Sequence, residues 1–217
     1  MSEHFDAVIL ANGLFPTRPE LLLMLRDTQH LVCCDGAYGK LLEAGVPYAA
    51  DFYVTGDGDS LSDDMRQKLG PRFIHVIEQD YNDLGKAFRL CCAHDWARIA
   101  ILGATGLRED HTLGNISYLA LYSSQHTASG LPVRPVIYSD YGVMQHVTGH
   151  QSFASYKGQQ ISILSLTPHI PVSAEGLRYP LVDRCLTQWW QGTLNEALGE
   201  SFSLHSPSGS LILFCEY

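Results

Sequence analysis

The hydrophobic pattern changes its period along the chain. Short apolar runs at 6–10 (DAVIL), 30–35 (HLVCCD), 51–57 (DFYVTGD), 72–77 (RFIHVI), 98–103 (RIAILG) and 135–140 (PVIYSD) have the length of strands, and several are apolar at successive positions. Continuous apolarity over so few residues fits parallel strands covered on both faces. Between these runs the period lengthens. Residues 82–96 place Leu84, Ala87, Phe88, Cys91 and Cys92 at i, i+3, i+4, i+7 and i+8, the stripe of a helix buried on one side, with Asn82 as its N-cap. A second helix is expected in 109–123, with Leu113, Ile116, Leu119 and Ala120 facing inward. Strands alternating with helices predict an α/β fold, a doubly wound and mainly parallel sheet.

Past Tyr141 the helical period stops. Short alternating runs follow (VMQHV, QSFASY, QQISILSL, AEGLRYPL, FSLHS, SLILFCEY), separated by Gly, Pro and Ser, which predicts a small antiparallel β-sandwich. The expected domains are therefore 1–140 and 141–217. In QWWQG, an extended chain would point Trp189 and Trp190 to opposite faces, so that a sandwich buries only one of them.

Composition narrows the function. At 217 residues and 46% hydrophobic, the chain can bury an ordinary core. A net charge of −9 disfavours nucleic acid as a partner. No run approaches eighteen apolar residues, and the N-terminus lacks a basic segment before an apolar one, so no membrane association and a cytoplasmic location are expected. The six cysteines are expected to be thiols rather than disulfides, and neither they nor the ten histidines show a zinc-ligand spacing.

Polar clusters fall at the strand ends: Ala11-Asn12-Gly13, Asp35-Gly36, Gly56 to Ser60, Gln79 to Asp83, and Gly103 to His111. In a parallel sheet these ends share one edge, where open α/β folds bind ligands. The stretch Gly56-Asp57-Gly58-Asp59 lets two carboxylates point the same way if the chain stays extended, with Asp83 on a neighbouring edge as a third. Such hard oxygens suit Mg²⁺, which takes one or two carboxylates together with phosphates and waters. An Asx-turn with solvated charges is the competing reading of the same residues. Asp63 and Asp64 are expected in the first turn of a following helix.

In GATGLREDHTLGN, Gly103 and Gly106 let backbone amides approach an anion, Thr105 offers a hydroxyl, and Arg108 supplies a bidentate cation in front of a helix N-terminus. Lys86 either pairs with Asp83 one turn away or reaches the same phosphates.

Taken in order, these motifs resemble the thiamin pyrophosphokinase family. Asp35-Gly36 resembles the start of its D-G-G-A-N-R, Gly56 to Ser60 its G-D-x-D-S, Gln79 to Lys86 its Q-D-x-x-D-x-x-K, and Gly103 to His111 its G-x-x-G-x-R-x-D-H. Gly176 to Leu181 resembles G-L-x-[YW]-x-L, and Gly192 to Asn195 resembles G-T-S-N. The resemblance implies an N-terminal Mg-ATP-binding domain, a C-terminal thiamin-binding sandwich, and a homodimer with its active site at the subunit interface. It implies that Asp57, Asp59 and Asp83 carry the metal and the reacting hydroxyl, with Lys86, Arg108 and Gln79 toward phosphates. Asn12, Asp35, Gly36, Thr105, Gly106, Asp110 and His111 would border the nucleotide, and Ser60, Tyr179 and Asn195 would meet thiamin. The departures are Ala37 and Gly39 in the first motif and Leu194 in the last. The implied reaction is attack of the thiamin hydroxyl on the β-phosphorus of ATP, giving thiamin diphosphate and AMP. Another Mg-dependent kinase or phosphohydrolase, or a non-catalytic nucleotide- or thiamin-binding module, is the rival reading.

Overall fold

The computed structural model describes residues 4–217. The chain divides into two compact units, one ending at Asp140 and the other spanning Tyr141–Tyr217.

In the first unit the apolar runs form β1 (Ala7–Leu10), β2 (Leu31–Cys34), β3 (Phe52–Gly56), β4 (Phe73–His75), β5 (Arg98–Leu102) and β6 (Arg134–Ser139). Their order is β6-β5-β1-β2-β3-β4, and each neighbouring pair is parallel. Every residue of β1 and β2 is buried, as continuous apolar runs require of central strands. The helices are α1 (Pro19–Asp27), α2 (Asp35–Ala44), α3 (Asp63–Leu69), α4 (Asp83–Ala93) and α5 (Glu109–Ser123). Asp63 and Asp64 occupy the first turn of α3, as expected. Asn82 caps α4 by accepting the Gly85 N–H at 2.9 Å, and Leu84, Ala87, Phe88 and Cys91 are buried along it.

Two features differ from the sequence expectation. Strand β2 runs into α2 without a loop, so Asp35 is a helical residue in the first turn rather than the end of a strand. Helix α5 buries Ile116 and Leu119 as expected, but its inward face is shifted: Asn115 and Tyr122 are buried with them, whereas Leu113 is 53% exposed. The reason is aromatic packing, with Tyr122 stacked on Phe88 of α4 at 3.5 Å between ring centroids and on Tyr118 at 4.8 Å.

The second unit consists of antiparallel strands: β7 (Gly142–Ala154), β8 (Gln160–Ser165), β9 (Pro171–Glu175), β10 (Leu181–Cys185), β11 (Asn195–Glu196) and β12 (Ser201–Glu216). Pairs of runs that read as separate strands are continuous: VMQHV and QSFAS share β7, and FSLHS and SLILFCE share β12. A register shift between Ser206 and Ser210 bends β12. Its first half then pairs with β9 and its second half with β8, and the two halves enclose a core containing Val147, Ile161, Ile163, Val172, Leu204 and Leu211. The tryptophans correct the strand reading of QWWQG. Residues Trp189–Gly192 form a 3₁₀ turn closed by reciprocal Gln188 and Gln191 side-chain bonds, and neither ring is buried, Trp189 being 43% and Trp190 72% exposed.

Candidate active site

Strand order reverses between β1 and β5, and the crevice outside their carboxyl ends is where a doubly wound sheet binds ligands. The loops leaving these two strands are laced together by backbone bonds, Gly13 N–H to the Gly103 carbonyl at 2.7 Å and Leu14 N–H to the Thr105 carbonyl at 2.8 Å. They wall a cleft of about 270 Å³, onto which Asn12, Asp83, Thr105, Arg108 and His111 all open. Five of the residues expected from the motifs thus share one cavity.

The carboxylates gather beside it. Gly56 ends β3 so close to Asp35 that a Cβ there would lie 2.6 Å from the Asp35 Cβ, and Gly58 takes the left-handed conformation at φ 84°. The turn between them folds the chain back, so the Ser60 N–H reaches Oδ2 of Asp35 at 3.3 Å. Burial pushes the Asp35 carboxyl above the ordinary range, and the charges of Asp83 and Asp57 push it further, against the backbone amides of Ser60 and Gly58. Asp83 is also raised, first by burial and then by Asp57, although Lys86 opposes the rise. Lys86 is 4% exposed and its Nζ lies 3.4 Å from Oδ1 of Asp83. Asp57 sits lower than usual, chiefly because the Asp59 N–H donates to its Oδ1 at 3.1 Å; burial opposes this, and Gln79 and Lys86 assist it.

The charges of Asp57 and Asp83 bear on Asp35, and that of Asp57 on Asp83, so Asp35 stands beside the expected Asp57 and Asp83. Asp59 contributes its backbone amide to Asp57, while its own side chain is exposed and takes no hydrogen bond or ion pair among the described residues. With Gly58 in the left-handed region, residues 57–60 form a tight turn rather than the extended stretch on which the sequence expectation rested.

Other expected residues are placed as follows. Arg108 and Asp110 pair with each other, Nη2 to Oδ2 at 2.6 Å, and this pair holds the Asp110 carboxyl at about 2. Gly36 faces Asn12, whose Nδ2 lies 2.3 Å from where a Cβ would be. Gly106 packs against Leu14 in the same manner. Ser60 is exposed. In the second unit Tyr179 is 60% exposed, but Asn195 is buried and both ends of its amide are engaged, Oδ1 accepting from the Tyr179 N–H at 3.0 Å and Nδ2 donating to the Tyr179 carbonyl at 2.7 Å. Asn195 thus holds the backbone of Tyr179, the other residue of this unit expected at thiamin.

Sequence reasoning passed over Lys40 and Asn115. The Lys40 Nζ donates to the carbonyls of Asn12 and Gly13, both at 2.8 Å, and braces the first loop from α2. Asn115 opens onto the cleft from the buried face of α5. A polar residue within an apolar helical stripe was the available signal for Asn115; the Lys40 contact had none, because it depends on how α2 lies against the loop.

Among the described residues, no three Asp, Glu, His or Cys side chains close into a ready-made metal cage. The donor set nevertheless suits a hard cation that arrives with phosphates: all donors are carboxylate oxygens, and the buried Oδ1 of Asp35 has no hydrogen-bond partner. A switch-point crevice that concentrates carboxylates, a buried lysine and an arginine defines an enzyme of phosphoryl-type transfer.

The comparisons narrow that class. Residues 21–129 match the model described as thiamin pyrophosphokinase, catalytic domain, and residues 142–214 match thiamin pyrophosphokinase, substrate-binding domain. The chain belongs to the thiamin pyrophosphokinase family. It is thereby a transferase and a kinase of thiamin diphosphate biosynthesis. Solved structures share the fold: thiamine pyrophosphokinase from Bacillus subtilis (TM-score 0.77, 22% identity, covering 97% of this chain and 98% of that one) and thiamin pyrophosphokinase from Candida albicans (0.76, 17%, 97% and 89%). Yeast thiamin pyrophosphokinase is similar too (0.77, 15%, 99% and 87%). No curated protein sequence matches.

Proposed function

We propose that the crevice between β1 and β5 takes Mg-ATP, and that the β-strand unit supplies the thiamin-binding surface. The observation that carries the first part is the cluster of Asp35, Asp57 and Asp83, with buried Lys86 paired to Asp83, beside a cleft onto which Asp83 and Arg108 open. Like charges gathered at one strand edge, with Asp35 buried and Asp57 and Asp83 half-exposed, favour a cation that joins them.

Asp57 and Asp83 would hold the magnesium ion, with Asp35 behind them and Asp59 on the exposed side of the same turn. When bound, Mg²⁺ would neutralise phosphate oxygens and orient the triphosphate. Lys86 and Arg108 supply positive charge against the negative charge of the transferred group and the leaving oxygen, and Gln79 orients Asp57. Asn12, Thr105 and His111 border the nucleotide. Asp83 or Asp59, whichever leaves an oxygen free of the ion, accepts the proton of the thiamin hydroxyl. The hydroxyl oxygen bonds to the β-phosphorus as the bond from that phosphorus to the α-phosphate bridging oxygen breaks, so that AMP leaves.

On the thiamin side, Tyr179, Trp190 and Leu194 present 60%, 72% and 74% of their surface. Aromatic faces suit the thiazolium cation and the pyrimidine ring. So much exposed apolar side chain also supports a homodimer, in which one subunit's strand unit meets the other's crevice. The six free cysteines suit a reducing, cytoplasmic setting.

Incubation of the protein with Mg-ATP and thiamin, followed by identification of the nucleotide released, tests the reaction. AMP together with thiamin diphosphate is expected; ADP with thiamin monophosphate would refute it.

A further inference from the structure

Asn115 is 8% exposed, and both ends of its amide are used. Its Nδ2 donates to the Ala104 carbonyl at 2.8 Å, and its Oδ1 accepts from Nδ2 of Asn82 at 3.1 Å. Asn82 in turn caps α4 through the Gly85 N–H. One side chain on α5 therefore ties the loop after β5 to the first turn of α4. These two elements carry Thr105 on the one hand, and Asp83 with Lys86 on the other, and the two asparagines open onto the cleft between them. An aliphatic side chain at 115 would fill the same space on the apolar face of α5 without needing partners. The amide is better explained by what it connects.

We infer that Asn115 is a positioning residue for the transfer reaction: through Asn82 it fixes the first turn of α4, and hence Asp83 and Lys86, relative to the Ala104–Thr105 loop. It rests on the reading above that Asp83 and Lys86 act on the reacting groups. Asn115 itself need not touch them. Its effect falls on alignment, to which a transition state is more sensitive than ground-state binding. Loss of the bridge therefore lowers kcat while leaving the KM for nucleotide and for thiamin nearly unchanged.

The test compares N115L, N82A, the double variant and D83N, with steady-state kinetics and thermal denaturation measured on each. N115L is expected to lower kcat by about ten- to a hundredfold with each KM within about threefold of the parent. The double variant is expected to be no slower than the slower single variant, because both substitutions break one bridge. N115S, which is smaller and polar, carries the same comparison should N115L not fold. The inference is overturned if kcat of the folded variant stays within about twofold, if the two kcat losses multiply, or if only KM rises. An inactive D83N beside a fully active N115L removes the positioning role alone. A D83N enzyme with normal turnover removes the assignment of Asp83 and this inference with it.

Discussion

The Nζ of Lys86 lies 3.4 Å from Oδ1 of Asp83, one turn back along α4, and the lysine is almost wholly enclosed. The same buried cation also lowers Asp57, so it serves two carboxylates at once. Replacing it with methionine keeps the packing and removes the charge. Lys86→Met should lower kcat/KM roughly a hundredfold to a thousandfold, about 3 to 4 kcal/mol of transition-state stabilisation, and steady-state kinetics will show it. Its stability should suffer more at pH 8 than at pH 4. Carboxyls whose folded pKa is raised favour the fold when protonated, and their cost grows as pH rises from 3.8 through the raised value. Equal stability loss at both pH values would mean that Lys86 does not offset that repulsion.

Asp35 stands in the first turn of α2 with one oxygen unpartnered and two like charges facing it. Asp35→Asn removes the repulsion. The melting temperature should rise by about 2 to 4 °C, the equivalent of roughly 1 kcal/mol in a chain of this size, while activity falls by more than about tenfold. A variant both less stable and fully active would contradict this account of the carboxyl cluster.

How much of this was legible beforehand differs between the two units. The strands of the first unit and the apolar stripe of α4 could be read from period alone, because central parallel strands are apolar on both faces and the apolar residues of α4 recur at helical spacing, although its first turns are buried all round. The face of α5 could not, since the stacking of Tyr122 on Phe88 is a tertiary choice that outweighs the burial of Leu113. Motif spacing brought out Asp57 and Asp83, but not Asp35 beside them, which comes there because β2 passes directly into α2, nor the tight turn at Gly58. In the second unit the bend of β12 and the turn at Trp189 leave no periodic trace.

Leu194 has φ 59°, a conformation unfavourable for a branched side chain, and its side chain is 74% exposed, so little packing offsets the strain. Leu194→Gly should raise stability by about 1 kcal/mol, measurable by chemical denaturation, with the nucleotide KM unchanged. A loss of stability would mean that the leucine side chain has packing value that its exposure conceals.

Asp140 closes the first unit by accepting from the Thr17 hydroxyl at 2.6 Å, the Thr17 N–H at 2.9 Å and the Arg18 N–H at 3.2 Å. Burial works against its charge, yet these bonds hold its carboxyl below the usual range. The sign follows: its contribution is fully present above about pH 4 and is lost as pH falls through the lowered value. Asp140→Asn should therefore destabilise the protein at pH 7 and make little difference near pH 2, as thermal melts at the two pH values will report.

Crystals grown with Mn²⁺ and a non-hydrolysable ATP analogue offer the most direct trial, because the anomalous signal fixes the cation without reference to activity. The peak should fall within about 2.5 Å of carboxylate oxygens of Asp57 and Asp83, with the triphosphate along the loops that follow β1 and β5. A manganese ion bound elsewhere, with those carboxylates bare beside a seated nucleotide, would contradict the account.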